Sequence, residues 1–362
     1  MGKKMSEICR QAIEDDSSWH ASDLVAERRW EFFIDEHQRR ELECALEDVN
    51  RSGLPLAQIT ATDFRLPTLG GVLSTLSSEL RDGRGFALIR DFPVEGHSYA
   101  DLEKMYWGLC SHIGTGVTQN SDLGFIHYVT DGALRPRQGT RGVGFPTETP
   151  LHVDLTDVAS LLCIRQAPDD PPSRIASSTA IYNEILRQRP DSLERLYSGF
   201  EWDRMGEHGD GESATSGFRV PLFSAADGLV SCQYNRNWMS SAANRKQTPM
   251  TPVEVEVLDL IDGLARELCF EFPFHQGDIQ FCNNYTVMHG RAAHEVVDEQ
   301  DSKRVLMRIW LEVDDFRGFS DEAIVRYGIG THGSLGWTAQ DLLAARNELP
   351  RLRRTDGAVQ LR

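Results

Sequence analysis

The stretch LHVDLTDVASLLC, residues 151–163, decides the fold. If its first five residues run extended, side chains alternate, so His152 and Asp154 project to one side while Leu151, Val153 and Leu155 pack on the other. One imidazole and one carboxylate then face a common point at the mouth of the apolar run Val158-Ala159-Ser160-Leu161-Leu162-Cys163. That pair is two-thirds of a 2-His-1-carboxylate set, whose open positions suit a non-haem Fe(II) centre. A third ligand must come from elsewhere in the chain.

Working outward, the segment TVMHGRAAHE offers His289 and His294. His289 directly follows the apolar Val287-Met288 of a strand-like run and is the better choice, whereas His294 stands after a Gly-Arg-Ala-Ala segment. A ligand so far from Asp154 in sequence requires assembly by tertiary folding, which suits a barrel whose first and last strands meet. A second His-x-Asp, His208-Gly209-Asp210, lies in the Gly- and Ser-rich GEHGDGESATSG and reads as a solvated loop.

Before the first motif the period is helical. Leu42, Leu46 and Val49 recur at helical spacing, as do Leu69, Leu73, Leu76 and Leu80 before Gly83. GFALIRDF, residues 85–92, reads as a short buried strand, and Leu102, Met105, Leu109 and Ile113 mark a further helix ended by Gly114. Gly and Pro break the segment 141–150 into loop, a helix covers about residues 179–188, and Thr251-Pro252-Val253-Glu254 forms a capping box for a helix that buries Val257, Ile261, Leu264 and Leu268. GDIQFCNNYTVMHG (277–290) and RVLMRIWLEV (304–313) read as strands. The expected class is a mainly β core with α additions, a sandwich or barrel rather than an alternating βαβ sheet. The domain reading is a single catalytic unit with a helical extension over 1–84, a core over 85–318 and a C-terminal tail over 319–362.

Composition narrows the partners. At 362 residues with 55 acidic and 38 basic side chains, the formal charge of −17 repels phosphate backbones and anionic lipid, so neither nucleic acid nor membrane is expected as a partner, while a local arginine pair still suits a small anionic substrate. The seven cysteines form no CxxC pair and argue for reduced thiols. The opening MGKKMSEICRQAIEDD has no apolar signal core, and a cytoplasmic protein, able to form a homo-oligomer, is expected. No Gly-rich phosphate loop is present.

Taken together, LHVD, the distal TVMHGR and the following KRVLMRIWLE, with PPSRIASSTAIYNEILRQRP and QGDIQFCNNYTVMHGR between, resemble the taurine dioxygenase (TauD/TfdA) family of Fe(II)/2-oxoglutarate-dependent dioxygenases from about residue 85 to residue 313. The resemblance implies a double-stranded β-helix, a jelly roll of the cupin-like kind with flanking helices. It implies Fe(II) on His152, Asp154 and His289, with 2-oxoglutarate and O₂ as cosubstrates. It also implies that Arg308 holds the far carboxylate of 2-oxoglutarate, assisted by Arg304 and Ser173. A guanidinium stays charged when buried and grips a carboxylate through two parallel hydrogen bonds. Many relatives carry Gly-Gly where this chain has Asp170-Pro171-Pro172 before Ser173.

The implied activity is oxidation of an unactivated C–H bond of a small molecule, with release of succinate and CO₂. Hydroxylation is the usual outcome, and desaturation or cyclisation needs no other ligands. Gln119, Asn120 and Arg236 are the candidates for contact with the substrate, Arg236 favouring a carboxylate such as an amino acid, and Trp202 reads as core. A Zn(II) hydrolase and a non-catalytic cupin-like binding protein are the rival readings.

Overall fold

The structure, a computed structural model, describes residues 7–120, 122–130, 147–206, 208, 211, 213–295, 302–317 and 335–344. In chain order it runs through α1 (Ala21–Ala26), β1 (Glu31–Phe33), α2 (Glu36–Ser52), α3 (Leu69–Asp82), β2 (Phe86–Arg90), α4 (Tyr99–Cys110), β3 (Thr115–Val117), β4 (Ile126–Thr130), β5 (Thr149–His152), β6 (Val158–Arg165) and β7 (Ser173–Ser177). There follow α5 (Ser178–Gln188), α6 (Leu193–Ser198), β8 (Phe223–Ala226), β9 (Leu229–Cys232), α7 (Arg236–Arg245), α8 (Pro252–Glu267), β10 (Phe270–Phe272), β11 (Ile279–Asn283), β12 (Val287–Arg291), β13 (Val305–Glu312) and α9 (Ala339–Ala344).

Two sheets build the core. The larger follows the order β1-β2-β11-β6-β13-β3, with β4 also paired to β13, and the smaller the order β10-β7-β12-β5. Phe86, Leu88, Cys163, Cys282 and Leu306 of the larger sheet form one buried cluster with Ile175, Phe272 and Val287 of the smaller. This is a double-stranded β-helix with flanking helices, as the resemblance implied. The β6 and β13 burial patterns, with few half-exposed positions, follow from their covering on both faces.

The helices obey their caps. Asp35 accepts the Gln38 N–H to open α2 and Gly53, at φ 69°, ends it in the left-handed region that favours glycine. Thr251 and Glu254 exchange hydrogen bonds at the start of α8, which buries Val257, Ile261 and Leu264. The helix expected to reach Ile113 ends at Cys110, although Ile113 is buried in the following turn.

Two runs of sequence each divide between the two sheets, and of these the expectation of a strand over 277–290 is the one that departs. Residues 151–163 hold two strands in different sheets, β5 stopping at His152 and β6 starting at Val158. Residues 277–290 likewise hold β11 of the larger sheet and β12 of the smaller, joined by the corner Asn284-Tyr285-Thr286. Alternation within a strand is visible in sequence, whereas a change of sheet shows only as a polar interruption.

The N-terminal segment is helical but also lends β1 to the edge of the larger sheet, parallel to β2. Of the expected tail, residues 319–334 and 345–362 lie outside the described residues. Residues 335–344 fold back, with Leu335 bridging Gln119 and Leu342 buried beside Leu123. The solvated loop expected at His208-Gly209-Asp210 includes Gly209 and Asp210, which also lie outside the described residues. No helix among the described residues is long and apolar enough to cross a membrane, and all seven cysteines are free.

Candidate active site

His152 closes β5 and stands directly opposite His289 of β12 in the antiparallel register. The neighbouring Gly290 lets these strands approach, because a Cβ there would lie 2.6 Å from the Thr149 carbonyl oxygen. The two imidazole rings sit 4.7 Å apart. Asp154, just beyond the strand, turns its carboxylate between them: Oδ1 is 4.0 Å from His152 Nε2 and Oδ2 is 3.6 Å from His289 Nε2. The three residues offer ligand atoms all within 4.8 Å of one another.

The surroundings fix this geometry. His152 Nδ1 lies 2.8 Å from the Pro150 carbonyl oxygen, which favours the Nδ1–H tautomer and leaves Nε2 as a lone-pair donor. The Asp154 backbone N–H donates to Asn284 Oδ1 at 2.9 Å, so the β11–β12 corner holds the loop that carries the carboxylate. Trp310 Nε1–H donates to Asp154 Oδ2 at 3.0 Å and Arg308 Nη1 to the same oxygen at 3.2 Å.

Burial and the neighbouring His289 push the His152 imidazole down to about 4, so it is neutral and free to ligate at ordinary pH. Burial would raise the Asp154 carboxyl, but Arg308 and the two histidines outweigh it and hold the group well below the usual carboxylate range. The two imidazoles and one ionised carboxylate, on one side of an open cavity, are a donor set that fits Fe(II) with coordination positions to spare.

The cavity holds about 260 Å³. Away from the triad its wall carries Ser173, Gln280 and Arg304, with Val129, Leu161, Leu306 and Phe274 supplying an apolar lining. Ser173 Oγ–H donates to Gln280 Oε1 at 2.6 Å and Arg304 Nε–H to Gln166 Oε1 at 2.8 Å. Arg308, four residues on along β13, reaches Asp154 instead, and its buried Nη2 has no hydrogen-bond partner among the described residues. His294, the other candidate ligand, is not among the clustered donors and contacts Arg291 Nη1 through Nδ1.

Gln119 and Asn120, expected to touch substrate, are absent from the cavity wall. Gln119 is wholly buried and spends its amide on the Phe125 and Arg308 carbonyls while its Oε1 accepts from Arg308 Nε at 2.8 Å. Asn120 closes a turn by accepting from the backbone of Asp122 and Gly124. Polar residues in a loop beside a pocket are as useful for fixing backbone as for binding ligand, and the sequence does not separate the two.

Arg236 does line the cavity, beside Asn235, Asn237 and Trp238 at the start of α7, but is ion-paired with Asp259 and Asp262, each at 2.6 Å. Arg266 of α8 completes this rim, exposed and without an ion-pair partner among the described residues. The sequence reading missed Arg266, Gln280, Asn284 and Trp310. Trp310 alone carried a signal, since it lies two residues beyond Arg308 and so on the same strand face.

Comparison with known proteins adds to this geometry. The family model described as taurine catabolism dioxygenase TauD, TfdA family matches residues 52–310. FR-33289 synthase of Streptomyces rubellomurinus (strain ATCC 31215) is 29% identical over 324 residues, covering 87% of this chain and 94% of that protein. A solved asparagine oxygenase in complex with Fe(II), 2S,3S-3-hydroxyasparagine and succinate superposes with a TM-score of 0.61 at 13% identity, covering 78% of this chain and 94% of that one. The non-heme iron oxygenase OrfP, in complex with Fe and alpha-ketoglutaric acid, gives a TM-score of 0.58 at 15% identity over 78% and 94% of the two chains. At these identities the two solved structures speak for the fold.

Proposed function

The chain belongs to the TauD, TfdA family and is a non-haem Fe(II)/2-oxoglutarate dioxygenase, and from that premise we propose that His152, Asp154 and His289 hold the iron and that the enzyme hydroxylates a small carboxylate, an amino acid being the first class to try. The observation that carries the ligand assignment is the convergence of three donors, from two segments distant in sequence, within 4.8 Å at the wall of one cavity. Bound Fe(II) and 2-oxoglutarate together supply O₂ activation, coupled to formation of succinate and CO₂.

The protein's own residues divide the cavity. With its keto acid end turned to the metal site, bound 2-oxoglutarate would leave its far carboxylate for the side of the cavity away from Asp154. Arg308 stands against Asp154 at 3.2 Å and therefore serves the metal end, where it balances the ligand carboxylate. Arg304, about 13 Å back along the strand at ordinary rise, takes the far carboxylate with the Ser173 hydroxyl. This reverses the roles that the resemblance implied for the two arginines. Leu161, Leu306 and Val129 suit the methylenes between.

The prime substrate enters between the start of α7 and α8. Arg266 is the rim cation with no carboxylate partner among the described residues, which supports an anionic group on the substrate, while Arg236 is neutralised by Asp259 and Asp262 and shapes the rim instead. The 3-hydroxyasparagine complex of the one solved oxygenase and the L-Arg complex of the other are in keeping with an amino acid. A zinc hydrolase would need a general base, and among the described residues the other carboxylate on the cavity wall, Asp262, is engaged by Arg236 and the Tyr234 hydroxyl.

The test is succinate formation from 2-oxoglutarate by the full chain with Fe(II), ascorbate and a panel of amino and other organic acids, read with mass spectrometry for a gain of one oxygen. Wild type is expected to form succinate only with both Fe(II) and O₂, and Asp154→Ala to form none. Undiminished turnover by Asp154→Ala removes the ligand assignment, and reaction only with acids other than amino acids removes the substrate class.

A further inference from the structure

Trp310 is fully buried on β13, two positions beyond Arg308 and on the same strand face. Its indole N–H donates to Asp154 Oδ2 at 3.0 Å, and Arg308 Nη1 approaches that oxygen at 3.2 Å, whereas Oδ1, which lies 4.0 Å from His152 Nε2, accepts among the described residues only from Arg308 Nη1, at 3.4 Å. We propose that Trp310 is a positioning residue of the metal centre: by holding Oδ2 it makes Asp154 offer Oδ1 as a single ligand atom, so that the coordination position beside it stays open for the reactants. The inference rests on the reading of His152, Asp154 and His289 as the ligands.

The reason lies in how carboxylates bind. A carboxylate can take a metal through one oxygen or both, and two-oxygen binding would occupy a position that a three-ligand oxygenase site must leave vacant. Arg308 does not choose between the oxygens, since Nη1 lies within 0.2 Å of equidistance from the two. The indole does choose, and being a donor only it demands an acceptor at every working pH. Trp310 also supports the arginine, whose guanidinium carbon sits 5.0 Å from its ring centroid. With the Asp154 backbone tied to Asn284, the carboxylate is fixed at both ends.

Trp310→Phe keeps an aromatic ring and removes the N–H. The metal-free full chain is titrated with Co(II), an air-stable probe with a visible spectrum that reports coordination number, in wild type, Trp310→Phe, Asp154→Ala and the double variant. Loss of an outer partner of a metal ligand costs roughly 10–100-fold in affinity. That loss is expected for Trp310→Phe, with a Co(II) spectrum altered from wild type, and no further loss is expected when it is added to Asp154→Ala. Wild-type affinity and spectrum in Trp310→Phe overturn the proposal, as does an equal loss in the Asp154→Ala background.

Should Trp310→Phe fail to fold, the ¹⁵N-labelled chain decides. Trp19, Trp30 and Trp107 also donate buried indole N–H groups, so of the exchange-protected indoles one is expected to shift in Asp154→Ala, and indole resonances indifferent to Asp154 overturn it. Wild type that binds Co(II) no better than Asp154→Ala removes the ligand assignment itself, whereas a normal wild type beside a silent Trp310→Phe removes only the role of the indole.

Discussion

Arg304 and Arg308 share a strand face and a charge, and only their neighbours tell them apart. One faces Gln166 and the cavity's far wall, the other Asp154 and Gln119. Arg304→Ala is therefore expected to raise KM for 2-oxoglutarate roughly 10- to 100-fold, the equivalent of ~1.5–3 kcal/mol for a charge-assisted hydrogen bond, with kcat at saturation little changed. Arg308→Ala should instead lower kcat and weaken metal binding. Steady-state kinetics on both variants checks this, and a larger KM effect at Arg308 than at Arg304 reverses the assignment. The sequence placed both arginines on one face through their four-residue spacing, and it placed His152 and Asp154 together by alternation. It could not order the arginines by distance from the metal, because strand direction relative to the ligands is a property of the assembled barrel.

Among the elements, α8 shows how far local chemistry reaches. Thr251, Pro252 and Glu254 announce its start in sequence, and Glu254 goes on to pair with Arg195 and Arg219, at 2.5 and 2.6 Å. Thr251→Ala is expected to destabilise the protein by about 1 kcal/mol, measured by denaturant unfolding. An unchanged midpoint would mean that α8 is held by packing and by Glu254 alone. That α8 also carries Asp262 and Arg266 to the cavity rim was not legible, since both stand in a polar-looking stretch whose face is set by tertiary contact. The strands teach the same lesson in reverse. β13 was readable nearly to its ends because it stays in one sheet, whereas the runs at 151–163 and 277–290 each hide a crossing between sheets.

At the scale of the molecule, a chain with net charge −17 gathers Arg236, Arg266, Arg291, Arg304 and Arg308 around one cavity, so the local field runs against the average. Composition could exclude polyanionic partners but not reveal this gathering, which draws on two helices and two segments of strand. The triad also ties stability to pH. The unfolded chain binds a proton at His152 near 6.5, while the folded chain resists it down to about 4. Because the unfolded state holds more protons across that interval, stability of the metal-free protein is expected to fall as pH drops from 6.5 to 4. The depressed Asp154 adds a further loss below its ordinary value of 3.8. Denaturant midpoints across this range should show a shallower decline in His152→Gln, and an identical slope would count against the buried neutral imidazole.

The corner from Asn283 to Thr286 has a last consequence. It delivers His289 to one sheet while Asn284, inside the bend, steadies the Asp154 loop leading to the other. A strand slipped by one residue presents its opposite face, so adding or removing a single residue here would point the imidazole of His289 into the packing and leave its neighbour at the metal. Length is thus fixed at this bend as firmly as residue type.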